Sequence, residues 1–286
     1  MIAAHPLSPT TIWGAWTLEP SAVALLIAVV LHAVGLRRLR ARNRAHGVAR
    51  PAAFYAGITV LALALLSPLH ALAEALFSMH MVQHLLLILV AAPLLVWSRP
   101  GLPLMAALPA PVHRSYVTLH RLAPWRAFRR AGRNIVVVWT ATALAMWSWH
   151  LPTLYEAGLA SFPWHAVEHL TFLGTAILFW SVTLPSSSPN GRSPAPSIAL
   201  VFATGLQSAV LGAVLTFADR PLYASHAREA AHWGVDALTD QRLAGLIMWV
   251  PAGAVYLLVM AWLFLTWMKR LEATTRPRAA STGDGS

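Results

Sequence analysis

The sequence predicts an all-α fold: a polytopic membrane helical bundle of seven transmembrane helices, N-terminus outside and C-terminus cytoplasmic. Three observations carry this. Of 286 residues, 57% are hydrophobic and 11% charged, whereas about a quarter of a soluble domain is charged. Several apolar runs reach the roughly 20 residues that a bilayer core requires. The basic residues sit in a few loops beside those runs, as membrane topology demands, so the net charge of +11 does not point to nucleic acid. With no cysteine, disulfides, thiolate metal sites and iron–sulfur clusters are excluded. Residues 1–270 are expected to form one domain, with 271–286 a disordered cytoplasmic tail.

Residues 1–20 carry no Lys or Arg, so the positive start of a secretory signal is missing; Trp13 and Trp16 read as interface anchors. Span one runs from Pro20 to Leu36 and stops at Arg37, Arg38, Arg40, Arg42, Arg44 and Arg50. Span two covers Pro51 to Leu69, and a short link then holds His70 and Glu74. Span three is Phe77 to Trp97. The polar segment Ser98 to Arg133 carries seven arginines, and its part from Val112 to Leu122 suits a basic amphipathic helix lying flat on anionic lipid. Span four is Asn134 to Trp149, followed by His150-Leu-Pro152, and span five is Trp164 to Leu184. Pro185 to Pro196 reads as a loop. Span six is Ser197 to Phe217, with Gly205, Ala209 and Ala213 as a small-residue stripe for close helix contact. A loop from Ala218 to Arg242 leads to span seven, Leu243 to Met268. Seven spans put 18 of the 21 basic residues on one side, leaving Arg220, Arg228 and Arg242 on the other. The first side is therefore cytoplasmic.

That topology sorts the thirteen histidines. His32, His46, His113 and His120 fall on the cytoplasmic side, and the other nine on the outer side. Two i,i+4 pairs, His80–His84 in span three and His165–His169 in span five, each occupy one helix face. Both spans run from outside to inside, so the pairs lie at similar depth. Polar side chains inside a span are costly and usually functional or paired. The expected metal ligands are His80, His84, His165 and His169. Further candidates are His150 at the end of span four, Glu168, Gln83, Met79, Met81, Met248 and Asp240. Gln83 and Glu168 each precede the second histidine of a pair and could orient an imidazole. Imidazole suits copper, zinc, iron and nickel, and thioether favours reduced copper. Copper is thus the expected metal, with zinc as the alternative. His5, His70, His226 and His232 read singly as polar tips at the headgroup level, and Asp236 and Asp240 as a solvated helix start.

Four stretches carry a resemblance: His80-Met-Val-Gln-His84 leading to Ala92-Pro-Leu-Leu95; Trp149-His-Leu-Pro152 with Tyr155; His165-Ala-Val-Glu-His169 leading to Phe179-Trp180; and Asp240 to Pro251. In these the chain resembles the CtaG family of cytochrome c oxidase assembly factors, the polytopic, cysteine-free kind associated with caa-type oxidases. The resemblance implies a bacterial plasma membrane protein that matures a haem–copper oxidase and supplies copper to its catalytic subunit. The lipid bilayer and a soluble extracytoplasmic copper donor are further expected partners. No catalytic residue and no enzymatic activity are expected. The oxidase's copper B centre lies in the membrane on three histidines, so a donor with intramembrane histidines could pass the ion sideways.

The sequence leaves three rival readings. His165-x-x-Glu168-His169 fits the H-x-x-E-H pattern of a zinc metalloprotease, but leaves His80 and His84 without a role. A bis-histidine haem protein would take one axial ligand from each span, without needing either pair doubled. A copper transporter would need ligands deeper in spans three and five, which turn wholly apolar.

Overall fold

The computed structural model describes residues 12–17, 20–42, 47–184 and 194–275. His5, His46, Arg44, Arg192, most of the Pro185–Pro196 loop and the chain after Thr275 lie outside the described residues. The helices are α1 (Pro20–Ala41), α2 (Ala49–Leu66), α3 (Pro68–Ala75), α4 (Phe77–Leu85), a π-helical turn (Leu86–Ala91) running into α5 (Ala92–Ser98), α6 (Gly101–Ala107), α7 (Ala110–Arg121), α8 (Ala123–Ala131), α9 (Ile135–Trp149), α10 (Pro152–Ala160), α11 (Phe162–Thr183), α12 (Ala195–Thr216), α13 (Ala224–His232) and α14 (Ala237–Thr275). No strand occurs among the described residues. Six helical stretches are long and apolar enough to cross a membrane; α9 and α10, bent by 75° at Pro152, make a seventh if counted as one span.

Prolines explain where the expected boundaries shift. Span two was expected to reach Leu69, but α2 ends at Leu66 because Ser67, preceding Pro68, is extended (φ −84°, ψ 172°). A residue before proline is pushed out of the helical region. Pro68 then opens α3, with Ser67 Oγ accepting from Leu69 N at 3.2 Å, so the expected link carrying His70 is a helix. Pro68 has no N–H, which deprives Ala64 O of its i+4 donor. The Gln83 side chain supplies one instead, Nε2 donating to Ala64 O at 2.7 Å.

The same substitution of donors occurs deeper in span three. In the π-helical turn Ala92 N donates to Leu87 O, five residues back. Pro93 would be next in that register and cannot donate to Ile88 O. Trp180 Nε1 of α11 fills the gap at 2.7 Å, tying spans three and five together at mid-depth. α11 packs along the π-helical turn and α5; beside α4 the space between the two spans is taken up by imidazoles.

α14 packs along α12 and against α4. A Cβ at Gly245 would stand 2.6 Å from Gly212 O and 2.4 Å from Thr216 Oγ1, so the α12–α14 approach requires glycine there. The small-residue contact thus centres on Gly212, with Gly205 against Tyr256, rather than on Ala209 and Ala213. The expected Ala218–Arg242 loop contains α13 and the start of α14, where Asp236 Oδ2 accepts from Thr239 N at 2.8 Å. α14 continues to Thr275, past the expected start of the tail. The amphipathic segment comprises both α7 and α8, neither with a buried residue.

Candidate functional site

The site begins with how α4 is started. Asp240, from the first turn of α14, accepts from Phe77 N (Oδ2, 2.7 Å) and Ser78 N (Oδ1, 3.2 Å). A carboxylate at a helix N-terminus satisfies orphan donors and complements the helix dipole. Asp240 is 3% exposed, so it is not a solvated helix start; both oxygens hold the turn that presents His80.

His80 and His84 then project from α4 toward His165, Glu168 and His169 on α11. All five are buried. Glu168 Oε1 lies 3.4 Å from His80 Nε2 and 3.6 Å from His84 Nε2. His80 and His165 stack with ring centres 5.7 Å apart, and His84 meets His169 edge-on at 5.6 Å. Ligand atoms of His80, His165 and Glu168 all fall within 4.8 Å of one another. Two ligands 2 Å from one ion are at most about 4 Å apart, so modest side-chain rotation would close this set. His84 and His169 border it. Room for the carboxylate comes from Gly158 of α10, where a Cβ would stand 3.2 Å from Glu168 Oε2.

His70 and His226, read from the sequence as polar tips at the headgroup level, join the cluster together with Tyr155. His70 of α3 is 4% exposed and stacks on His165 at 5.4 Å. Its Nδ1 lies 2.9 Å from Gln83 Nε2. Because the Gln83 amide already donates to Ala64 O, His70 Nδ1 accepts and Nε2 carries the ring hydrogen. Gln83 therefore does orient an imidazole, but that of His70. Although His70, Glu74 and His165 also cluster within 4.8 Å, this tautomer makes His70 a poor ligand through Nε2. His226 of α13 is 3% exposed and 2.5 Å from Tyr155 Oη; burial holds its pKa below the usual histidine value. Tyr155 is 1% exposed and meets His80 at 5.2 Å. His150 ends α9 with Nδ1 2.7 Å from Met146 O. Met81 and Met248 are buried close by, whereas Met79 is only partly buried. His232 is exposed.

Buried ligating atoms without a hydrogen-bond partner concentrate here: Nδ1 of His80, both nitrogens of His84, Nε2 of His150, His165 and His169, Oε2 of Glu168 and Nδ1 of His226. Buried polar atoms are normally satisfied, so such a concentration fits a site shaped for an ion. The donors are imidazoles and one carboxylate, and imidazole suits copper, zinc, iron and nickel.

The fold and this cluster define a multi-pass helical membrane protein with a buried histidine–carboxylate centre. Residues 30–270 match the family described as cytochrome c oxidase caa3 assembly factor (Caa3_CtaG), and the chain belongs to it. The family supports a role in cytochrome c oxidase assembly. Comparison with curated proteins gave no match, and comparison with solved structures gave none.

Proposed function

We propose that the protein binds copper at the His80–His165–Glu168 centre, bordered by His84 and His169, and delivers it to the copper B centre of the oxidase's catalytic subunit. The observation that carries this is the meeting of two imidazole couples from two spans around one buried carboxylate. The loop-charge asymmetry supports an orientation in the bacterial plasma membrane with this end of the bundle outside the cytoplasm. Copper arrives there from an extracytoplasmic donor and leaves sideways by ligand exchange with the oxidase. The role is that of an assembly factor, not an enzyme. In the zinc-peptidase scheme the glutamate would be a general base beside two histidine ligands; here Glu168 Oε1 faces His80 and His84 instead.

The test is the copper content and activity of oxidase assembled in cells carrying His80→Ala, His165→Ala or Glu168→Gln. Oxidase with haem but depleted in copper B is expected. Fully metallated, active oxidase in all three strains would refute delivery.

A further inference from the structure

Directly below the histidine–carboxylate centre is a second, chemically different place for an ion. A cavity of about 40 Å³ lies between α4, α9, α11, α12 and α14, and its wall includes Met81, Met146, Met248, His84 and His150. The three methionines come from three different helices and are 2%, 7% and 5% exposed. They belong to one buried cluster. No sequence pattern links them.

The two imidazoles are prepared as ligands. His150 Nδ1–H donates to Met146 O at 2.7 Å, which leaves the Nε2 lone pair unused; that atom is buried and has no hydrogen-bond partner. A backbone carbonyl holding one ring nitrogen so that the other can bind an ion is the usual support of a histidine ligand. Both nitrogens of His84 also lack hydrogen-bond partners, and Phe172 packs against its ring at 4.5 Å. Most hydroxyls on the wall are committed: Thr142 Oγ1 to Val138 O, Thr175 Oγ1 to Thr171 O and Ser208 Oγ to Met248 O. Thr204 Oγ1 has no partner.

We infer that this cavity is a site selective for monovalent copper, held by thioethers of Met81, Met146 and Met248 with His84 and His150. Thioether sulfur is a soft donor that selects cuprous copper. The desolvation penalty of an ion rises with the square of its charge, so an uncharged, mostly apolar wall tolerates a monovalent ion far better than a divalent one. The centre above has a carboxylate and suits the divalent ion; the cavity has none. His84 borders both. A volume of about 40 Å³ has room for a small ion, since roughly 10–15 Å³ of such space already holds one water.

The inference rests on the copper reading above, and the test separates the two. Purified full-length protein is loaded with cupric ion in air or with an acetonitrile complex of cuprous ion under argon, and copper content and X-ray absorption are measured. Wild type loaded with cuprous ion should show sulfur in the first coordination sphere. The double variant Met146→Leu, Met248→Leu, which keeps core volume nearly unchanged, should lose most of the sulfur signal, keeping only that of Met81, and bind cuprous ion at least tenfold more weakly, with cupric binding unchanged. Glu168→Gln should show the reverse pattern. A cuprous ion surrounded only by nitrogen and oxygen, unaffected by the two leucines, overturns the methionine site and leaves the centre above intact. Wild-type protein that binds neither oxidation state overturns both.

Discussion

Replacing Asp240 tests whether α14 sets the geometry of the metal centre from a distance. In Asp240→Ala two buried backbone donors, Phe77 N and Ser78 N, lose acceptors at 2.7 and 3.2 Å. Each is a charge-assisted bond, and a buried donor left unsatisfied costs about 1–3 kcal/mol. The pair therefore costs about 2–6 kcal/mol, enough to unwind the first turn of α4, where His80 lies. Supporting residues of metal sites typically contribute 10–100-fold in affinity, so copper binding should weaken by about that factor. Asp240→Asn keeps one acceptor oxygen and should lose roughly half as much stability. The assay is thermal unfolding in detergent, hydrogen exchange of residues 77–80 and copper titration on the same preparations. Wild-type protection at Phe77 and Ser78 together with unchanged copper affinity in Asp240→Ala would refute the coupling.

Gln83→Leu strands Ala64 O and frees His70 to change tautomer, which should cost about 1–3 kcal/mol, seen as a lower unfolding temperature and faster exchange at the end of α2. Gly245→Ala puts a Cβ 2.6 Å from a backbone oxygen and should separate α12 from α14, read as loss of monodisperse protein on size exclusion. His226 has a folded pKa lowered by burial, so the unfolded chain takes up protons first as pH drops below its usual 6.5. Docking of α13 should therefore weaken on acidification below that value and be unaffected by pH above it. Hydrogen exchange over 224–232 measures this, and His226→Gln should abolish the dependence.

The spans and the two histidine couples were legible because they rest on local periodicity: apolar run length and i,i+4 spacing survive whatever the tertiary structure does. Their facing each other followed from parallel direction and equal depth. His70 and His226 were not legible, since a single histidine in a short helix at a span end has the same local pattern whether it points to headgroups or inward. Asp240 was misread for a related reason, because its partners are 163 and 162 positions away. The roles of Gln83 and Trp180 follow from prolines that remove a donor elsewhere, a clue visible in the sequence at Pro68 and Pro93 only once the helix register is known. Met146 carried no signal at all; it matters because three helices bring three thioethers to one cavity.

The most direct measurement is the copper bound per chain by detergent-purified protein, for wild type and for a variant combining His80→Ala and His165→Ala. Under air, with cupric ion, wild type should retain one copper through gel filtration, with nitrogen and oxygen as its nearest neighbours, and the double variant should retain none. Equal copper in both proteins, or none in either, would contradict the assignment of these facing imidazoles as the ion's seat.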